Sequence, residues 1–324
     1  MAGLTAAGAS GLVGLRPHEA AAEPPPETAT LRVAQSPAIC FAPQYVAGEQ
    51  LLQAEGFTDL RYIKKSTGWE ALSSGEADIS GVDAPSLVAE LDKGKPIVVL
   101  TGLHVGCYEL FGTTRVRTIR DLKGKEVAIP LLHSGRHLML STMLAHVGLD
   151  PRKDVTWVTR PAAESMQLFA EGRIDAYLGF PPEPQELRAK KIGHVVVSTT
   201  LDRPWSQYFC CMMVANRDFA QKNPIATKRA VRAILKASEV CATEPGRAAR
   251  LLVDRGFAGH DEYVRKMLTE LPYSRWAEYH PEDTLRFYAL RLHEAGLIKS
   301  SPQKLIAQGT DWRFLNELKR ELKG

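Results

Sequence analysis

One junction occurs twice in this chain. Ala71-Leu72-Ser73-Ser74-Gly75-Glu76-Ala77-Asp78-Ile79-Ser80-Gly81 reads as the end of a helix, a turn at Gly75 and a short strand entered after Asp78. Leu168-Phe169-Ala170-Glu171-Gly172-Arg173-Ile174-Asp175-Ala176-Tyr177-Leu178-Gly179 repeats that order. Glycine at the turn supplies the left-handed conformation that ends a helix. Each strand then runs into a loop, Val82-Asp83-Ala84-Pro85-Ser86 after the first and Phe180-Pro181-Pro182-Glu183 after the second. A Gly-x-x-Asp match alone recurs easily by chance. The whole order of helix, glycine, strand and loop, met twice, points to two lobes of like construction.

Around these junctions short β-rich runs alternate with helical patterns from Leu31 onward, the signature of an α/β fold with a largely parallel sheet. Strands are read at Leu31–Gln35, Arg61–Lys64, Pro96–Thr101, Tyr108–Thr114, Glu126–Ile129, Val155–Thr159, Ile174–Leu178, Val195–Val197 and Tyr208–Val214. The helices between them include Pro43–Ala54, Leu138–Val147, Ala162–Ala170 and Pro184–Lys190. From Pro224 the chain turns mainly helical, in segments that open on Pro or Asp start signals. A second lobe inserted in the first accounts for the order. Residues 29–114 with 209–324 would form one lobe and residues 115–208 the other, with strands crossing near Leu110–Arg115 and Tyr208–Met212 to hinge a cleft.

The net charge of +4, from 41 basic and 37 acidic residues without a basic block, gives nucleic-acid or membrane binding no footing. No apolar run approaches a membrane span. Ala2–Leu15 is small, apolar and uncharged, and Glu19-Ala20-Ala21-Ala22-Glu23 offers a small-residue cleavage site before Pro24-Pro25-Pro26. That resembles the tail of an export signal, twin-arginine or general secretory, whose basic part would lie upstream of Met1, and it would send the chain to the periplasm. The bland reading is a disordered Ala/Gly/Pro tail. Both exclude residues 1–28 from the fold and assign them to a signal remnant and linker.

Five cysteines, Cys40, Cys107, Cys210, Cys211 and Cys241, show no CxxC spacing, so zinc is not expected and buried structural thiols are the default. In an exported protein one disulfide could form, with partners the sequence does not choose. The nine histidines hold no HExxH, and no G-x-S-x-G elbow, P-loop or G-x-G-x-x-G follows a strand. No catalytic residue, metal ligand or cofactor is assigned.

Several segments resemble, in their order, the periplasmic substrate-binding proteins of nitrate/sulfonate/bicarbonate (taurine-type) ABC importers, whose fold is shared with pyrimidine-precursor synthases. They are Phe41-Ala42-Pro43-Gln44-Tyr45-Val46-Ala47, Trp69-Glu70-Ala71-Leu72-Ser73-Ser74-Gly75-Glu76-Ala77-Asp78-Ile79, Gly94-Lys95-Pro96-Ile97-Val98-Val99-Leu100, Asp121-Leu122-Lys123-Gly124-Lys125-Glu126-Val127-Ala128 and Glu171-Gly172-Arg173-Ile174-Asp175-Ala176. The resemblance implies a type II periplasmic binding fold, two α/β lobes with a two-strand hinge and a helical C-terminal region. It further implies a monomer that closes on a small-molecule ligand and passes it to a membrane permease, without chemistry. The pocket walls it implies are Pro37, Ile39, Cys40 and Phe41; Gly81, Val82 and Asp83; His104 and Tyr108; Ser134, Gly135, Arg136 and His137; Phe180 and Glu183; and Trp205 and Tyr208.

Within this set Ser134 reads as the N-cap of a helix whose free N–H groups attract anions, and Arg136 adds a full charge with a planar fork of donors. The sharpest expectation is a sulfonate, carboxylate or nitrate-like group held there, with an apolar body against Phe41, Phe180 or Trp205. Core packing is an equal reading for Trp205 and Tyr208. Asp83 and Glu183 fit a purely anionic ligand poorly; either could hold an amine or amide, or cap a helix, as Asp83 is placed to do before Ala84-Pro85. Cys210-Cys211 beside Phe209 resembles part of the Cys-rich segment of the pyrimidine-precursor synthases, but the full Cys run is missing; an enzyme, or a binder of pyrimidines or aromatics, is the alternative.

Overall fold

The computed structural model describes residues 23–36, 38–65, 67–259 and 261–322. The export-signal reading therefore falls on residues outside those described, apart from its last few, and the pocket residue Pro37 lies outside them too. The chain opens with β1 (Thr30–Gln35), a single turn at Ile39–Phe41, α1 (Ala42–Val46), α2 (Leu51–Ala54), β2 (Asp59–Lys64), α3 (Gly68–Ser73), β3 (Ile79–Asp83), α4 (Ala84–Asp92) and β4 (Ile97–Val105). Then follow β5 (Glu109–Gly112), β6 (Lys125–Ile129), α5 (Gly135–His146), β7 (Val155–Thr159), α6 (Ala162–Ala170), β8 (Ala176–Gly179), α7 (Glu183–Ala189) and β9 (His194–Ser198). Strand β10 (Phe209–Asn216) leads into α8 (Arg217–Lys222), α9 (Pro224–Thr243), α10 (Pro245–Asp254), α11 (Asp261–Glu270), α12 (Pro281–Glu294), α13 (Pro302–Gly309) and α14 (Arg313–Glu321).

The strands form two five-stranded sheets, ordered β2-β1-β3-β10-β4 and β7-β6-β8-β5-β9. In each, the first strand reached after the chain changes lobe, β5 or β10, runs antiparallel to its neighbours. The sheets are thus mixed rather than largely parallel. Their interior strands are buried on both faces, as in β8 and in Phe209–Ala215 of β10.

The repeated junction does the same work in both lobes. Gly75 and Gly172 sit at φ 74° and 69°. In the first, Asp78 exchanges backbone and side-chain bonds with Arg32 on β1: its N–H donates to the Arg32 carbonyl (2.7 Å) and its carboxylate accepts from the Arg32 N–H (2.7 Å). In the second, the Asp175 N–H donates to the Glu126 carbonyl on β6 (2.9 Å), and its carboxylate accepts from the Glu126 N–H (3.0 Å). Each aspartate also holds an arginine, Arg32 or Arg115. Each thereby pins the strand that follows it to a parallel neighbour.

Three expectations are corrected. The helix read over Pro43–Ala54 breaks into α1 and α2 at a turn through Gly48, where a Cβ would clash with the Tyr62 hydroxyl and the Leu60 side chain. The first crossing lies earlier than Leu110–Arg115. Residues 109–112 already pair with β8 and β9 of the second sheet, so the chain changes lobe over Gly106-Cys107-Tyr108, where Gly106 and Cys107 take φ of 70° and 134°. The return runs over Thr199–Tyr208, and Thr199 ties the crossings together: its Oγ1 accepts from the N–H groups of Cys107 (3.1 Å) and Tyr108 (2.9 Å). Finally, residues 23–28 belong to the fold. The Glu23 carboxylate meets Lys228 and Arg232, and the Glu27 carboxylate caps α9 by accepting from the N–H groups of Ile225 and Ala226.

Candidate functional site

The carboxyl ends of β1, β3 and β4 face those of β6 and β8 across the crossings, where open α/β sheets place their ligands. On the first lobe the Gln44 side chain builds the wall. Fully buried, it donates to the Ala34 carbonyl (2.9 Å) and accepts from the Gly81 N–H (2.8 Å), joining the loop after β1 to β3. Phe41 lies flat on Gly81, where a Cβ would come within 2.6 Å of its ring. Ile39, Cys40 and Val82 are buried beside it.

Asp83 caps α4 as anticipated, accepting from the Ser86 N–H (3.1 Å). It also reaches the other lobe: its carboxylate oxygens lie 2.9 and 3.0 Å from where a Cβ on Gly135 would stand. Burial pushes the Asp83 carboxyl above its ordinary pKa. A second contact between lobes joins Arg188 of α7 to Glu270 of α11 (2.6 Å). The lobes are closed, and open depressions lie elsewhere, one of them edged by Arg120, His146, Asp150, Arg291 and Glu294.

Ser134 caps α5, accepting from the His137 N–H (3.4 Å). Arg136 does not offer a free charge. Its guanidinium is buried and forked onto Glu183, with NH1 to Oε2 at 2.7 Å and NH2 to Oε1 at 2.6 Å, and NH1 also donates to the Tyr177 hydroxyl. Burial by itself would lower its pKa; Glu183 and Tyr177 hold it above the ordinary value. The group stacks over Phe180 at 4.5 Å. Arg136 and Glu183, expected to pull a ligand in opposite directions, neutralise each other. His137 supplies no cation either: its ring lies against Trp157 of β7, accepts from the His133 N–H, and burial pushes its pKa down to about 4.

The aromatics divide. Tyr108 meets Phe180 edge to face at 6.0 Å between the lobes. Trp205 packs on His146 and Tyr208 stacks on Phe287 at 4.1 Å, the core alternative for both.

Four cysteines converge on the cleft floor from three places in the chain. Cys40 and Cys211 sulfurs are 3.7 Å apart, Cys107 and Cys210 sulfurs 2.8 Å. His104 completes one trio with Cys40 and Cys211, and Cys107, Cys210 and Cys211 form another; the donor atoms in each lie within 4.8 Å of one another. No CxxC spacing announces this group because its members are brought together by tertiary pairing. Burial pushes the Cys107 thiol up to about 12. A protonated, buried thiol is a poor nucleophile. Tyr273, whose hydroxyl donates to the Cys40 carbonyl (2.9 Å), and Tyr288, buried on α12, are further neighbours that sequence reasoning missed, as are Gln44 and Tyr177.

The sequence model of the NMT1-like family matches residues 24–253. The bicarbonate-binding protein CmpA of Synechococcus elongatus is 29% identical over 112 residues, 34% of this chain and 24% of CmpA, so the chain spans about a quarter of that relative's length. Among solved structures, the periplasmic nitrate-binding protein NrtA of Synechocystis superposes with a TM-score of 0.73 at 17% identity, covering 92% of this chain and 90% of NrtA. The alkanesulfonate-binding protein SsuA of Xanthomonas axonopodis pv. citri, solved bound to MOPS, gives 0.69 at 18% identity over 88% and 99%. At these identities the two structures establish the shared fold, that of periplasmic binding proteins.

Proposed function

The chain belongs to the NMT1-like family, and on that premise we propose that it is the solute receptor of an ABC importer, closing two lobes over a small molecule and delivering it to a membrane permease. The observation that carries this is the contact of Asp83 on one lobe with Gly135 on the other, beside two crossings that form a hinge. Relatives that bind bicarbonate, nitrate and alkanesulfonate support a small anionic solute. With Arg136 neutralised, the anion would be held by the N–H groups of the first turn of α5 rather than by a fixed cation. Tyr108 and Phe180 favour a solute with an apolar or planar body over a bare inorganic ion. The protein acts outside the cytoplasmic membrane as a monomer, and affinity comes from contacts made only in the closed state. Among the described residues no helix is long and apolar enough to cross a membrane.

Native mass spectrometry of the purified protein, followed by thermal-shift screening of sulfonates, carboxylates, nitrate, bicarbonate and pyrimidines, tests the reading. A solute at 100 times its Kd adds about 2.7 kcal/mol of stability. Turnover of any screened compound would replace the receptor with an enzyme.

Two substitutions test the closure itself. Gly135→Ala sets a methyl against the Asp83 carboxylate, which its bond to Ser86 holds in place. Overpacking of this kind costs about 1–3 kcal/mol. We expect solute affinity to fall about 10-fold or more in calorimetry, with a larger radius of gyration in solution scattering; an unchanged radius and affinity would show that the lobes meet elsewhere. Asp83→Asn keeps the helix cap and removes the charge. Because the folded-state pKa of Asp83 lies above the unfolded value, its stabilising contribution is present in full at acid pH and lost as pH rises through the elevated pKa. The asparagine variant should therefore melt higher than wild type at neutral pH and lose this advantage in acid.

A further inference from the structure

Where the two crossings meet, sulfur and imidazole donors gather from separate parts of the chain: Cys40 after β1, His104 at the end of β4, Cys107 on the first crossing, and Cys210 and Cys211 at the start of β10. We propose that this cluster binds one thiophilic d10 cation, monovalent copper or divalent zinc, through Cys40, Cys211 and His104. The inference stands on side-chain geometry and does not rest on the receptor reading.

The spacing suits a metal. Two sulfurs bound at about 2.3 Å to one tetrahedral ion stand about 3.8 Å apart, and those of Cys40 and Cys211 are 3.7 Å apart. His104 is prepared as a ligand. Its ring is wholly buried, Nδ1 lies 3.3 Å from the Val105 carbonyl, and Nε2 has no partner. A metal-bound histidine characteristically rests its other ring N–H on a backbone carbonyl, which leaves the remaining nitrogen its lone pair. Thiolates joined by one imidazole select soft or borderline cations over magnesium and calcium. Consecutive residues of a regular strand point to opposite faces. The pairing of β10 with β4 shifts register between Phe209 and Cys211 and again before Met212, so Cys210 and Cys211 both join the cluster. The site lies at the hinge, beneath the closed lobes, so opening them gives the ion its entry. An ion there replaces thiol protons and ties the turn after β1 to strands β4 and β10.

The full chain, purified with a non-thiol reductant and a chelator and freed of both under nitrogen, is titrated with monovalent copper against a chromophoric competitor, and separately with zinc and with cobalt as its spectroscopic surrogate. The expected result is one equivalent bound in at least one arm, with tetrahedral cobalt–thiolate absorption if the site takes divalent ions. Cys211→Ser, Cys40→Ser and His104→Gln should each weaken binding by more than about 100-fold. Cys241→Ser, a buried thiol on α9 outside both trios, should leave it unchanged. Circular dichroism of every variant accompanies the titration, and His104→Gln carries the test if a serine variant fails to fold. No binding in any arm by protein whose five thiols are all free overturns the proposal, as does an equal loss in Cys241→Ser. So does a disulfide between Cys107 and Cys210 whose reduction restores no binding.

Discussion

Glu183→Gln lowers the unfolding free energy by about 3–5 kcal/mol, because it leaves the Arg136 guanidinium buried without its counter-ion. The Arg136 side chain is 5% exposed against 18% for Glu183. Arg136→Ala is therefore expected at the lower end of that range, since the carboxylate left behind can rehydrate and keeps the hydrogen bond that the Tyr177 hydroxyl donates to it. Replacing the pair together, Arg136→Met with Glu183→Leu, should recover most of the loss, because a buried ion pair repays its desolvation only narrowly. Urea unfolding of wild type, Arg136→Met, Glu183→Leu and that double variant forms a double-mutant cycle in which the coupling reaches the upper part of about 0.5–3 kcal/mol, with Arg136→Ala and Glu183→Gln measured alongside. The same proteins decide the role of Arg136. If Arg136→Ala unfolds at the wild-type midpoint yet loses solute affinity, Arg136 is an anion clamp and the pairing is incidental.

Gln44→Leu should cost about 2–4 kcal/mol. It strands two buried backbone groups, the Ala34 carbonyl and the Gly81 N–H, and each unpaired buried group costs about 1–3 kcal/mol. The loss is also local to the cleft. Gln44 fastens the turn that carries Cys40 and Phe41 to the strand that carries Asp83, so the Gly81 amide should exchange with solvent faster than in wild type. A shift in stability below about 0.5 kcal/mol with unchanged protection at Gly81 would remove Gln44 from the scaffold of the site.

These two residues mark how far the sequence could be read. Arg136 was legible as a residue at the start of a capped helix, and Ser134 does cap α5. Its partner was not legible, because Glu183 lies 47 positions away at the start of α7, which only the second sheet brings near. Gln44 sat inside a segment that carries the family resemblance, yet nothing local distinguishes a glutamine that bridges two strands from one facing water. The repeated junction read well because its chemistry is local: a left-handed glycine, then an aspartate that meets the neighbouring strand. The crossing near Leu110–Arg115 was misplaced by a few residues, since β4 and β5 form one nearly continuous apolar run and only hydrogen-bond pairing separates them.

Periodicity, turn chemistry and the order of segments determined by themselves that this chain makes two α/β lobes of like construction, since those signals act over a few residues and survive without neighbours. The charge state of the cleft and the thiol cluster were decided by tertiary structure alone. Charges cancel and sulfurs cluster by distance in space, and here the groups that meet are far apart in sequence, with Asp83 against Gly135, Arg188 against Glu270 and Cys40 beside Cys211.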